Sequence, residues 1–358
     1  MQRQVKTDEY KLLEAAEAYL QTIAPQAAQL DRKPETLKKA LQGLGDRSLL
    51  ALKVPQRWGG SELSETSFRA FQMMMARYSG ALAFLQTQHQ SAGALLVNGI
   101  NEELKQQYLP QMSAKPLVGV GFSHLRRRGG SPVEAKRTEG GYLLEGKVPW
   151  ISGWGYFTAF IIGAELPNGE AVYGLIPFQE SHDGGTIRFS APMELMAMAA
   201  TNTVSATLAG WFLPDAAVVA VKPAAAIYTS DRQNVLNQGF FALGCAQAAL
   251  DILESTYQSK GLGTIKQCYD SLGHELASCR QQMFQALSKT ASFEQRLRLR
   301  VGAINLAGRC TQAAVIASSG AANASCHAAG RVYREALVFS VSGQTTAVME
   351  ASLKQLCQ

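Results

Sequence analysis

A chain of 358 residues with 47% hydrophobic and 17% charged residues can bury a large core, which excludes disordered, fibrous and low-complexity architectures and suggests two or three domains. Its net charge of +6 is small and scattered apart from Arg126, Arg127 and Arg128, so nucleic-acid binding is not expected and a small anionic ligand fits better. The 6 cysteines lie in the last third without a CxxC pair and the 5 histidines have no ligand spacing, so neither a metal site nor a disulfide framework is expected.

The cysteines read as small buried hydrophobes on helices in a reducing compartment. The N-terminus is polar and leads directly into an amphipathic pattern, with no apolar segment of a signal peptide behind it, and no apolar run is long enough to span a bilayer. A cytoplasmic protein without membrane partners is expected.

Leu12, Leu13, Ala16, Tyr19, Leu20 and Ile23 recur three and four apart and predict a helix that Pro25 ends. A second helix follows Pro34 with Leu37, Leu41 and Leu44, and a third carries Phe68, Phe71, Met74, Met75 and Tyr78 on one core-facing stripe. Between them Leu50 to Val54 reads as a short strand-like bridge, stopped by Pro55 and turned by Gly59-Gly60. Near Lys115 the period shifts to two. Strand-like runs follow at Tyr142 to Leu144, Tyr156 to Ile162, Ala171 to Pro177, Thr186 to Phe189 and Thr203 to Leu208, with glycine-rich turns between them. After Pro223 the helical period returns over Asp231 to Lys260, Leu272 to Lys289 and Ser292 to about Ala322, and a short last helix starts after Gly343. Ser292 with Gln295 is a capping-box start.

The expected class is α+β, mainly α. It comprises an N-terminal helical domain over residues 1–116, a small central β-barrel over 117–222 and a C-terminal four-helix bundle over 223–358.

Several phrases sharpen this. Leu44 to Gly60 reads LGDRSLLALKVPQRWGG, Asn101 to Pro110 NEELKQQYLP, Gly140 to Ser152 GGYLLEGKVPWIS, Thr203 to Pro214 TVSATLAGWFLP, Leu243 to Leu250 LGCAQAAL, and His327 to Val348 HAAGRVYREALVFSVSGQTTAV. In these phrases and in its order of helices, sheet and helices, the chain resembles the acyl-CoA dehydrogenase superfamily over nearly its whole length. That resemblance implies FAD held between the barrel and the bundle, an acyl thioester or another specialised small molecule as substrate, and a homodimer or homotetramer.

Carried over residue by residue, the resemblance gives Ser123 a hydroxyl toward the flavin, and Trp150 and Ser152 an aromatic wall and a polar contact for its ring. It puts Gly343 and Gln344 at the head of the helix that covers the cofactor. It also exposes losses. Ser342 stands where the family has the glutamate that removes the substrate α-proton, and a hydroxyl has no useful basicity near neutral pH. The alternative glutamate position falls near Asn234, leaving Asp231, one turn earlier, as a substitute base. Ser259 replaces the arginine that binds the flavin diphosphate, with Lys260 or Lys266 as the remaining charges, and Val315 to Ser319 replace the segment that meets the neighbouring subunit's dinucleotide, so weak FAD binding is implied. The resemblance further implies a pocket role for His89 in flavin monooxygenases of the same fold, to be set against a buried structural histidine.

Three functions therefore stand together. The first is a diverged FAD-dependent oxidoreductase without the usual base. The second is a flavin-dependent monooxygenase, which needs no such base, and the third is a non-catalytic binding or scaffold member that has lost its flavin.

Overall fold

The computed structural model describes residues 2–115, 117–127, 129–223, 225–288 and 290–357, with side chains from Asp8 onward, so Arg128 lies outside the described residues. The N-terminal helices are α1 (Gln2–Ile23), α2 (Ala27–Arg32), α3 (Pro34–Gly45), α4 (Glu65–Tyr78), α5 (Gly80–Val97) and α6 (Glu102–Tyr108). Their bounds follow from local chemistry. Pro34 opens α3 at the position where the missing N–H costs nothing, and the Ser64 and Ser79 hydroxyls accept the free N–H groups of Ser67 and Leu82 at the starts of α4 and α5. The expected strand-like bridge at Leu50 to Val54 is not a strand. It is a buried turn, because the chain folds back so that Leu52 and Val54 accept N–H groups from Leu63 and Glu62 rather than from a neighbouring strand. Gly60 permits that fold: a Cβ there would stand 2.1 Å from the Val54 carbonyl oxygen.

The strands are β1 (Val118–Gly121), β2 (Val133–Thr138), β3 (Gly141–Ile151), β4 (Ala159–Glu165), β5 (Glu170–Pro177), β6 (Thr186–Phe189), β7 (Val204–Pro214) and β8 (Val218–Pro223). They form an open sheet of order β6-β7-β3-β2-β4-β5-β8 with β1 beside β4, not the closed barrel expected from the turn spacing. Closure would require β6 to pair with β8, but β6 has only 4 residues. The two antiparallel halves meet through one parallel pair, Glu134 with Glu165.

The C-terminal helices are α7 (Ala226–Gln233), α8 (Gly239–Lys260), α9 (Gly263–Gln285), α10 (Phe293–Ser318), α11 (Ala328–Val341) and α12 (Thr346–Leu356), of which α8 to α11 form a four-helix bundle. The run predicted over Asp231 to Lys260 is broken between α7 and α8, and this corner becomes a wall of the site described below. Helix α8 is apolar nearly all round because it is central, packed on α4 as well as α9, α10 and α11. Gly244 sets its approach to α4, since a Cβ would meet the Met73 carbonyl oxygen at 2.3 Å. Gly244→Val is therefore expected to cost about 2–3 kcal/mol through forced separation of the helices. Equal urea midpoints for variant and parent would refute it.

One core runs through all three regions, with Phe241 stacked on Phe339 at 4.9 Å inside the bundle. A buried polar junction sits within it. Asp31 of α2 accepts the Met198 N–H at 2.6 Å and lies 3.6 Å from Arg334 of α11, while Arg331 donates to the fully buried Glu335 at 2.7 Å. Burial raises the Glu335 carboxyl above its ordinary range, with Arg331 opposing the rise.

All six cysteines are free; Cys245 and Cys310 are buried as expected, whereas Cys326 and Cys357 are exposed near the end of the chain. Among the described residues no helix is long and apolar enough to cross a membrane, and no His, Cys, Asp and Glu cluster could hold a metal ion.

Candidate functional site

A cavity of about 670 Å³ opens where α4, α5, the β5 and β8 strands, the α7–α8 corner and Gly343 converge. Helix α5 presents Thr87, Gln90 and Ser91 to it, a spacing that puts three polar side chains on one helical face. A smaller cleft of about 410 Å³ lies alongside, bounded by Tyr228, Arg232, Phe293 and the residues 344–347 that open α12. Arg126 and Asp231 are the residues common to both linings. They form a two-pronged ion pair, Nε to Oδ2 at 2.7 Å and Nη2 to Oδ1 at 2.8 Å, and so stand as the partition between the two spaces.

Arg300 of α10 holds the far wall. It is 2% exposed and donates to the carbonyls of Val235 at 3.2 Å, Ser342 at 2.8 Å and Gly343 at 3.1 Å, clamping the α7–α8 corner to the turn before α12. Burial pulls its guanidinium down to about 10, with Asp231 working against the shift and Arg126 adding to it. At the clamped turn Gly343 takes φ +56, a left-handed conformation that glycine adopts without strain.

The structure gathers only some of the residues singled out from the sequence. Asp231 and Gly343 line the cavity and Gln344 lines the cleft. Both Asp231 oxygens already accept from Arg126, which leaves no unengaged carboxylate oxygen aimed at a ligand. Ser342 is half-buried, with its hydroxyl 3.4 Å from Gln238 Oε1. Ser123 is exposed at the start of a 3-10 turn, and Trp150 is 50% exposed on β3; neither lines the cavity or the cleft.

Ser152 is buried and its proton can be assigned by donor bookkeeping. Thr201 must donate to the Met198 carbonyl at 2.8 Å, so Thr203 donates to Thr201 at 3.1 Å and Ser152 donates to Thr203 at 2.7 Å. Ser152 is thereby left with lone pairs to offer.

His89 is fully buried outside the cavity. Its Nδ1 accepts the Val118 N–H at 3.0 Å and its Nε2 donates to the Met112 carbonyl at 2.9 Å, and burial lowers its pKa. Lys260 is turned to the C-terminus of α10, donating to Ala317 at 2.6 Å, and Lys266 is paired with Asp270 at 2.6 Å.

Another histidine carries a clearer signal. His124 is 1% exposed, donates from Nε2 to Gly163 at 2.8 Å and has no partner for Nδ1. Burial pushes it from 6.5 down to about 4, with the Gly163 carbonyl opposing and Arg127 adding. The unfolded chain therefore binds the extra proton first, and stability is lost as pH falls through that window. His124→Gln should lose about 3 kcal/mol less than the parent between pH 7 and 4, the worth of the shift. Urea midpoints across that range check it, and parallel curves for the two proteins would refute it.

Arg300 was not singled out from the sequence, though a signal existed. It heads the stripe Arg300, Ala303, Ala307, Cys310 and Ala314, all buried on one face of α10, so a charge stands where the helical period calls for an apolar residue.

Comparison with known proteins places this geometry. The family described as "Acyl-CoA dehydrogenase, N-terminal domain" matches residues 7–115. An acyl-CoA dehydrogenase of Bacillus subtilis is 26% identical over 44% of this chain and 42% of its own length. The mitochondrial isovaleryl-CoA dehydrogenase of Solanum tuberosum is 24% identical over 70% of this chain and 58% of its own, so the chain matches about half the length of these two relatives. A probable acyl-CoA dehydrogenase of Mycobacterium bovis is 22% identical over 80% of this chain and 77% of its own. Among solved structures, a glutaryl-coenzyme A dehydrogenase in complex with glutaryl-CoA superposes with a TM-score of 0.82 at 19% identity, covering 98% of this chain and 95% of that one. Butyryl-CoA dehydrogenase from Megasphaera elsdenii gives a TM-score of 0.80 at 15% identity and 98% coverage of both chains; at such identities the likeness is one of fold.

Proposed function

The chain belongs to the acyl-CoA dehydrogenase superfamily, and on that premise we propose that it is a diverged FAD-dependent oxidoreductase acting on an acyl thioester without the usual carboxylate base. The observation that carries this reading is the cavity of about 670 Å³ that ends on Gly343, the residue after the substituted Ser342.

The residues present fit FAD. The cleft beside the cavity has Arg126 and Arg232 in its wall and the N-terminus of the 11-residue α12 at its edge, which together suit an anionic diphosphate. Trp150, half exposed on β3, and Ser152, with lone pairs to offer, have the chemistry for a flat ring and an N–H on its rim, but neither lines the cavity or the cleft. When bound, FAD supplies a hydride acceptor. The chain's own part is to bind and orient: Arg300 fixes the 342–343 turn, and the α5 face with Gln90 and Ser91 surrounds the acyl group. Among the described residues that line the cavity, neither carboxylate is free of a partner to take the α-proton: Asp231 is engaged by Arg126, and Glu65 by Arg69 and Lys53. That same engagement favours a second reading, a non-catalytic member that binds its ligand without turning it over.

Oligomerisation is part of the proposal. Tyr333, Leu337 and Val341 of α11 are exposed at intervals of four, and Met349, Leu353 and Leu356 of α12 are exposed four and three apart, leaving apolar stripes that a second copy would cover. Titration of the purified protein with FAD, followed by its visible spectrum, tests the cofactor. No spectral shift or quenching at excess FAD, with or without reductant, sinks the oxidoreductase reading and leaves the binding one.

A further inference from the structure

The charges around the cavity do not balance. Five cations line it, Lys53, Arg69, Arg126, Lys222 and Arg300, against two carboxylates, Glu65 and Asp231. Asp231 is consumed by Arg126. Glu65 is divided, its Oε1 taken by Arg69 Nε at 2.7 Å and its Oε2 by Lys53 Nζ at 3.2 Å, so one carboxylate serves two cations. Arg300 faces only carbonyls, and Lys222 stands 5.9 Å from the Tyr173 ring with no carboxylate partner among the described residues.

Arg69 is the sharpest case. It is 7% exposed; its Nε at 2.7 Å and Nη2 at 2.5 Å meet Glu65 Oε1 and its Nη1 donates to the Gln72 side chain, which leaves the second N–H of each terminal nitrogen uncommitted. A buried guanidinium that shares its counter-ion is stabilised by any further anion that reaches it, because the desolvation cost has already been incurred by the fold. A cavity for a saturated fatty chain would have no use for such groups. Here Phe68 and Leu95 are interrupted by these cations and by Gln72, Thr87, Gln90 and Ser91.

We infer that the cavity recognises an acyl group bearing a second carboxylate, a short ω-carboxyacyl thioester whose free carboxylate pairs with Arg69 and Lys53. This rests on the thioester reading above and narrows it to dicarboxylic acid monothioesters. The carboxylate would complete the fork of Arg69 and release Glu65 to serve Lys53 alone. The phosphates of the coenzyme A portion are the other anions that could satisfy cations here, so the test holds that portion constant.

Full-length protein supplied with FAD is titrated calorimetrically with glutaryl-CoA, with pentanoyl-CoA, which has the same chain length without the carboxylate, and with free coenzyme A. The expected result is that glutaryl-CoA binds about tenfold to a hundredfold more tightly than pentanoyl-CoA, as one charge-assisted contact gives. That advantage is expected to fall to about twofold or less in Arg69→Gln and in Lys53→Met, while pentanoyl-CoA binds as before. Lys53, a third exposed at its side chain, is the variant to rely on if Arg69→Gln does not fold. Equal binding of the two thioesters, both tighter than free coenzyme A, overturns the carboxylate inference alone. If neither thioester binds more tightly than free coenzyme A, the thioester reading falls with it.

Discussion

In the Ser342→Glu variant, bound FAD is expected to bleach anaerobically with an acyl-CoA at least about a hundredfold faster than in the parent, the usual contribution of a positioned base. The turn that aims this position is fixed on both sides. Arg300 grips the Ser342 and Gly343 carbonyls at 2.8 and 3.1 Å, and Gly343 supplies the left-handed step into α12. A glutamate at 342 would extend from a half-buried position beside Gln238, where partial burial raises a carboxyl toward the range useful to a base. Stopped-flow absorbance with saturated and ω-carboxy thioesters reads the outcome. A variant that binds FAD fully yet is reduced by none of them shows that the cavity does not present an acyl α-carbon to position 342.

The second large effect concerns the partition. Arg126→Met strands the Asp231 carboxylate, whose side chain is only 14% exposed, and is expected to cost about 2–3 kcal/mol, below the range for fully buried pairs because Arg126 keeps 27% of its own side chain exposed. Arg126→Met combined with Asp231→Leu should recover most of that loss, since no charge is then left without a partner. Urea unfolding of the four proteins in the cycle measures the coupling, and strictly additive losses would show that the pair contributes nothing to stability.

Helices were legible in the sequence where period and punctuation agree, and less so where they do not, as at the break between α7 and α8. Leu37, Leu41 and Leu44 follow Pro34 into α3, and Ser292 caps α10 by accepting the Gln295 N–H at 3.1 Å as the motif predicts. Thr186 to Phe189 is recovered as β6 with the same bounds. Closure of the sheet was not legible, because turn spacing reports which strands are neighbours in the chain and not whether the last edge meets the first. The Leu50 to Val54 bridge looked extended for a related reason: its apolar residues are buried, but in a turn. The site was read least well. Arg126 and Asp231 lie 105 residues apart, and nothing local marks either as the other's partner. Ser152, Ser123 and Trp150 came from a resemblance, which transmits residue types but not the direction in which the Ser152 proton points.

The junction around Asp31 has a consequence for how the chain assembles. Besides the adjacent Arg32, its partners are Met198, 167 residues away, and Arg334, near the other end of the sequence. Contacts of such separation form only after the intervening chain is largely ordered, because loop closure must come first. On a ribosome the helix that carries Asp31 emerges before either partner, so its carboxylate has only the neighbouring Arg32 until Met198 has been made. The N-terminal helices therefore lack these two contacts of Asp31 until the later residues are in place. A chain stopped before Arg334 would lack one of the two cations that lie beside Asp31.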